Sequence, residues 1–270
     1  MGRALATAIA RLEDQVRARQ RLDAGVLDRL RADPVNLLTA AGMAADPWQA
    51  AVLRSAADRI ILLAARQAGK SSVSAALAVR TALLEAGAPV LLLSPSQRQS
   101  AELFRKVLDL YGALGRPVPA IRETALQLEL ANGSRVLSLP GTEGTVRGFS
   151  KVSLLVIDEA ARVSDPLYFA VRPMLAVSRG RLVALSTPFG QRGWFFSEWC
   201  GSGQWERVRI TADQVPRITP EFLAEERRAL GDRWYRQEYE CSFEDTVGAV
   251  FAYADIQAAL NDDVRPLFAS

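Results

Sequence analysis

Four short segments rich in consecutive apolar residues constrain this chain more than anything else in it. Residues 60–64 (IILLA), 90–94 (VLLLS), 152–158 (VSLLVID) and 181–186 (RLVALS) lack the apolar–polar alternation of a strand with one wet face. Each reads as a strand buried on both faces. Apolar residues at helical spacing fill residues 71–86 and 96–114 between the first three. Strands alternating with helices predict an α/β fold, a mainly parallel sheet flanked by helices. A hairpin interrupts the series. Leu126, Leu128 and Leu130 alternate with polar residues, Asn132-Gly133 turns the chain, and Val136, Leu137 and Leu139 continue, the pattern of two paired strands.

The flanks read differently. Leu5, Ile9, Leu12, Val16, Val26 and Leu30 are spaced as on a helix over residues 3–32, which Asp33-Pro34 stops. Asp46, Pro47 and Trp48 read as N-cap, N1 and N2 of a second helix. Beyond residue 204 the pattern predicts one strand over 205–210. A charged helix opens at Thr219-Pro220-Glu221 and another covers 232–242.

Composition removes whole classes of chemistry. The chain of 270 residues contains no histidine, which excludes imidazole bases, histidine-dependent triads and histidine metal sites. Cys200 and Cys241 are the only cysteines and form no metal-binding spacing. No apolar run approaches the ~20 residues of a membrane-spanning helix. The formal net charge of +3 is too small to predict nucleic acid by itself. Of 33 basic residues only Lys70, Lys106 and Lys151 are lysine, and one of them falls at a telling place.

The strand at 60–64 runs into Ala65-Arg66-Gln67-Ala68-Gly69-Lys70-Ser71-Ser72 and then a helix. Backbone N–H groups at such a helix start point at an anion. Lys70 is placed to reach the β- and γ-phosphates of a nucleotide, and the Ser71 hydroxyl to ligate Mg²⁺. Ala64 stands where the strict phosphate-loop pattern has its first glycine. The strand at 152–158 ends in Asp158 and Glu159. Parallel strands deliver their C-terminal ends to the ligand crevice, so Asp158 is expected in the Mg²⁺ shell and Glu159 as the group that orients or deprotonates the attacking water.

Together these residues resemble a known family, the ATPase domain of the large terminase subunit of tailed bacteriophages. The resemblance rests on Arg66-Gln67-x-Gly69-Lys70-Ser71, Val156-Ile157-Asp158-Glu159-Ala160 and Leu185-Ser186-Thr187-Pro188. It also rests on Asp46-Pro47-Trp48-Gln49, on Ser94-Pro95-Ser96 followed by Gln97 and Arg98, and on Arg147-Gly148. It spans about residues 44–250. Gln49, with donors and an acceptor, suits an adenine edge.

The resemblance implies a P-loop NTPase of the ASCE type, with the strand ending at Ser186 between the phosphate-loop strand and the acidic strand. It implies ATP and Mg²⁺ as ligands, with Gln49, Arg66, Gln67, Ala68, Gly69, Lys70, Ser71 and Ser72 around the nucleotide. Ser186 and Thr187 would sense the γ-phosphate. It further implies double-stranded DNA, a portal protein and a small terminase subunit as partners. The chain would act in a homo-oligomeric ring, usually of five subunits, in the cytoplasm of a bacterial host, with no membrane. A neighbour's arginine would complete each site. Arg147 is the choice for that role in trans, while Arg66 could reach the γ-phosphate in cis. Arg98, Arg105 and Lys106 are candidates for DNA contacts. Trp194, Phe195, Phe196 and Trp199 read as helix packing rather than a base-stacking platform.

The expected organisation is an N-terminal helical extension (1–45), the ATPase core (46–204), a small helical lid subdomain (205–247) and the start of a linker (248–270). Family members usually carry a C-terminal nuclease. The stretch after Phe251 is too short for its acidic cluster, so no nuclease activity is expected from this chain. Two other readings remain at this point. A helicase-like DNA-dependent ATPase would need a second lobe. A nucleotide-gated DNA-binding or assembly module would have no use for Glu159.

Overall fold

The computed structural model describes residues 20, 22–141, 148–244 and 259. Helix α1 (22–32), α2 (Asn36–Ala40) and α3 (Pro47–Arg54) precede the first strand. The sheet strands are β1 (Arg59–Ala64), β2 (Pro89–Ser94), β3 (Ala120–Glu123), β4 (Gln127–Leu130), β5 (Arg135–Pro140), β6 (Leu154–Asp158), β7 (Arg181–Ser186) and β8 (Glu206–Ile210). Between them run α4 (Lys70–Leu84), α5 (Gln97–Ala113), α6 (Asp165–Val171) and α7 (Gly193–Cys200), and α8 (Pro220–Tyr239) follows.

The eight strands form one sheet in the order β3-β4-β5-β2-β6-β7-β1-β8. Every neighbouring pair from β5 across to β8 is parallel, and β4 and β3 add on antiparallel at one end. β7 lies between β6 and β1, as the family resemblance implies. The hairpin around Asn132-Gly133 forms as β4 and β5.

Alternate strand residues serve two cores, as the two-residue strand period requires. Ile60, Leu62, Leu92, Val156 and Leu185 face α4 and α5, together with Leu30, Leu37 and Leu38 from α1 and α2. Ile61, Leu63, Leu93, Ile157 and Ala184 face α6 and α7, where Tyr168, Trp194 and Phe195 are buried. Tyr168 and Trp194 stack with centroids 3.8 Å apart. The aromatic run of residues 194–196 is therefore packing, as its spacing predicts.

Three features were not legible in the chain. β3 is an outer strand whose last three residues are exposed, so it carries no alternating apolar signal. Short helix α6 has none of the length that helical periodicity needs. β8 pairs in parallel with β1, so residues 206–210, expected with the lid, lie in the core sheet. The helix pair expected after residue 219 appears as α8 broken at Gly231, where φ is 74°.

One glycine is required by close approach alone. A Cβ on Gly180, just before β7, would lie 1.9 Å from the Val152 carbonyl oxygen, and backbone cannot retreat from the sheet. Gly180→Ala is expected to lower stability by about 1–3 kcal/mol, measured as a reduced midpoint in urea denaturation with an unchanged slope.

Candidate active site

Register brings the site together. Asp158 of β6 is opposite Leu185 of β7, and Ser186 of β7 is opposite Leu63 of β1. The tips of three adjacent strands thus carry Asp158, Ser186 and the phosphate loop. The loop turns through two left-handed residues, Gln67 (φ 62°) and Gly69 (φ 98°), before α4 begins at Lys70. Gly69 is needed twice over. Its φ disfavours a side chain, and a Cβ there would sit 2.7 Å from the Gln49 amide nitrogen. The N–H groups of Lys70 and Ser71, the first two of α4, have no intrahelical acceptors, whereas the Ser72 N–H donates to the Gly69 carbonyl at 3.1 Å.

Lys70 is buried, with 7% of its surface exposed. Its Nζ donates to the carbonyls of Ala64 (3.3 Å) and Ala65 (3.2 Å), so its ammonium is held over the loop. The Ser71 hydroxyl lies 3.4 Å from Asp158 Oδ2. Asp158 Oδ1 is buried with no hydrogen-bond partner among the described residues. Burial, and next the charge of Glu159, push the Asp158 carboxyl up to about 6, while Lys70, the Glu159 backbone N–H and Lys106 oppose the shift. An orphaned carboxylate oxygen beside a hydroxyl suits a hard cation, and Mg²⁺ characteristically takes few protein ligands together with phosphate oxygens. No cluster of three or more acidic or sulfur ligands exists among the described residues. The donor set therefore fits Mg²⁺ held jointly with a phosphorylated ligand, not an all-protein metal cage.

Glu159 follows Asp158 in the left-handed conformation (φ 50°), rare for a residue with a side chain. Its Oε2 accepts from Arg162 Nη1 at 3.0 Å. The same nitrogen donates to Thr187 Oγ1 at 3.1 Å, and the Arg162 guanidinium lies over the Phe189 ring at 4.7 Å. The Ser186 hydroxyl accepts from the Ala161 N–H at 3.1 Å. Ser186 and Thr187 thus grip the segment that carries Glu159. Arg162 is one residue that sequence reasoning missed. Its position three residues after Glu159 was a usable signal, lost among many arginines.

Gln49 is buried and caps α3, its Oε1 accepting from the Asp46 N–H at 2.9 Å. Gln67, Gly69 and Ser72 line a cleft with it, and Ala68 is buried beneath the loop. Arg66 points outward, 3.8 Å from Glu238 of α8, and its backbone N–H donates to the Glu238 carbonyl at 2.9 Å. The end of α8 therefore braces the phosphate loop. Arg147 lies outside the described residues. Arg98 and Arg105 are exposed on α5, Arg105 pairing with Glu102. Half-buried Lys106 contributes to the field at Asp158.

Comparison with known proteins gives relatives in sequence and in fold. The family model of the T4likevirus-type terminase large subunit, N-terminal region, matches residues 61–258. The large terminase subunit of Escherichia phage T5 is 25% identical over 244 residues, covering 85% of this chain and 55% of that protein. The chain spans about half the length of the curated relatives it matches. Among solved structures, the large terminase ATPase domain of Thermus phage P74-26 superposes with a TM-score of 0.68 at 22% identity, covering 78% of this chain and 97% of that one. The large terminase of a thermophilic bacteriophage, solved in complex with ADP, gives 0.59 at 15% identity, covering 74% and 54%. At these identities the two likenesses show the fold.

Proposed function

This chain belongs to the T4likevirus-type terminase large-subunit family, and from that premise we propose that it is the ATPase motor of a viral DNA-packaging machine, hydrolysing ATP with Mg²⁺ to drive double-stranded DNA into a procapsid. One observation carries the reading: the Ser71 hydroxyl at the start of α4 lies 3.4 Å from Asp158 Oδ2 at the tip of β6, and Asp158 Oδ1 is buried with no hydrogen-bond partner among the described residues.

The chemistry follows from the side chains. The phosphate loop and Lys70 hold the β- and γ-phosphates. Ser71 and Asp158 would hold Mg²⁺, which supplies charge neutralisation at the phosphate oxygens. Glu159 accepts a proton from water as the water oxygen bonds to the γ-phosphorus. The bond from that phosphorus to the bridging oxygen breaks, leaving ADP and inorganic phosphate. Arg162 holds the carboxylate in place and ties it to Thr187, so a change at the coupling motif reaches Glu159 directly. A neighbouring subunit's arginine, Arg147 by the resemblance, would supply further positive charge, with Arg66 the candidate within the subunit.

The proposed partners are double-stranded DNA, portal protein, small terminase subunit and further copies of this chain in a ring, in the cytoplasm of the bacterial host. The lid role of the α8 region rests on its bracing of the phosphate loop. No helix of the described residues is long and apolar enough to cross a membrane.

The test is phosphate release from ATP with Mg²⁺, with and without DNA and assembled partners. Turnover that needs Mg²⁺ and rises with DNA supports the motor. ATP binding with no turnover under full assembly points to a nucleotide-gated module instead. Arg162→Ala is expected to lower kcat about 10- to 100-fold through loose placement of Glu159, with KM for ATP within about twofold because Arg162 binds no phosphate. Steady-state kinetics check it. An equal rise in KM would mean that Arg162 serves binding.

A further inference from the structure

A cleft of about 540 Å³ opens beside the phosphate loop, large enough for a nucleoside. It is lined by Gly69 and Ser72 of the loop and α4, by Ala45, Asp46 and Gln49 around the start of α3, and by Pro216 and Arg217. Nothing in the sequence motifs accounts for this last wall. Pro216 and Arg217 lie between β8 and α8, far along the chain from the other lining residues.

Arg217 is held with unusual completeness for a surface arginine. Its Nη1 and Nη2 donate to the two carboxylate oxygens of Asp46 at 2.7 and 2.8 Å, and Nη2 also reaches the Ala68 carbonyl at 3.2 Å. Asp46 is 6% exposed, whereas half of the Arg217 side chain remains open. A guanidinium whose edge donors are pinned this way keeps its flat faces for stacking. A fixed planar cation is a good partner for an aromatic ring. A nucleotide whose phosphates lie at the start of α4 can place its base in this cleft, which Gly69 and Ser72 join to the phosphate loop.

We propose that Pro216 and Arg217 form the wall on which the base of the bound nucleotide stacks, with Asp46 holding Arg217 in place. The proposal rests on the triphosphate reading of the loop and adds to it a base-contacting residue outside the recognised motifs. Gln49 then meets the edge of the base while Arg217 meets its face. Asp46 has two duties: it caps α3 and orients Arg217.

The experiment compares ligands with and without a base. Calorimetric titration of the full chain with Mg-ATP and with Mg-tripolyphosphate is made for the native protein, Arg217→Ala and Asp46→Asn. Arg217→Ala is expected to weaken ATP about tenfold and leave tripolyphosphate within twofold. Asp46→Asn keeps the capping shape, loosens Arg217 and is expected to give a smaller loss, again confined to ATP. It keeps the proposal testable should Arg217→Ala not fold. Equal losses for both ligands would assign Arg217 to bracing the loop through Ala68 and overturn the proposal, as would no loss for either. A native chain that binds neither ligand would sink the triphosphate reading itself.

Discussion

Lys70→Ala is expected to abolish ATP turnover, with kcat/KM falling about 10³-fold or more. The lysine is buried and its ammonium is already fixed over the loop by the Ala64 and Ala65 carbonyls. A charge pre-positioned in a poorly solvated crevice acts on phosphate oxygens far more strongly than one in water. Alanine removes that charge and leaves two carbonyls facing the site where phosphate must sit. Lys70→Arg is expected to fail almost as badly, because the wider guanidinium has no room at a position 7% exposed. Phosphate release measures the loss. A nucleotide-dependent rise in melting temperature, present in the native chain and missing from the variant, locates it in binding. Turnover within tenfold of native would remove Lys70 from the phosphate site.

Glu159→Gln separates binding from chemistry. The amide is nearly the same shape, and its carbonyl oxygen can still accept from Arg162 Nη1. It cannot accept the proton of the attacking water. Turnover is therefore expected to drop about 10²–10⁴-fold while ATP affinity stays within a few-fold. Single-turnover kinetics alongside equilibrium titration would show both. The backbone adds a second expectation. Glu159 sits at φ 50°, a conformation that costs a non-glycine residue roughly 1 kcal/mol. Glu159→Gly should remain folded, with melting temperature unchanged or slightly raised, and be inactive. Strain kept at a position where glycine would relax it is what a carboxylate held for catalysis requires. If Glu159→Gln turned over normally, the water-activating role would pass to another group.

The tie between α8 and the phosphate loop gives the two parts of the molecule a common mechanical joint. The Arg66 N–H donates to the Glu238 carbonyl, and the Ala65 N–H to the Ile210 carbonyl. Tyr235, Tyr239 and Cys241 are buried against the same core. If the loop moves on phosphate binding, as the proposed function requires, that motion would reach the end of α8 through the Arg66–Glu238 backbone hydrogen bond, with Gly231 as a break within the helix.

Much of this was legible in the residues because the signals were local. Runs such as IILLA and VLLLS leave only a doubly covered strand. Gly69-Lys70-Ser71 after such a strand leaves few alternatives to an anion site at a helix start, and Asp158-Glu159 at another strand's end names the acidic half. The position of β7 between β1 and β6 came from family resemblance, since strand order is not written in any one segment. Arg162 and Arg217 were hidden for a different reason. Arginine is abundant here, and what distinguishes these two is the atoms they meet, at Glu159 and Thr187 in one case and at Asp46 and Ala68 in the other.

The sequence alone determined the class of fold and pointed to the phosphate loop and the acidic pair as the proposed site, because each depends on neighbours within a few residues. Only the tertiary structure decided that Ser71 meets Asp158 across 87 positions, that β8 closes the sheet beside β1, and that Arg217 reaches back 171 positions to Asp46. Those contacts are set by strand register and by the packing of helices over the sheet, and both are properties of the whole chain folded at once.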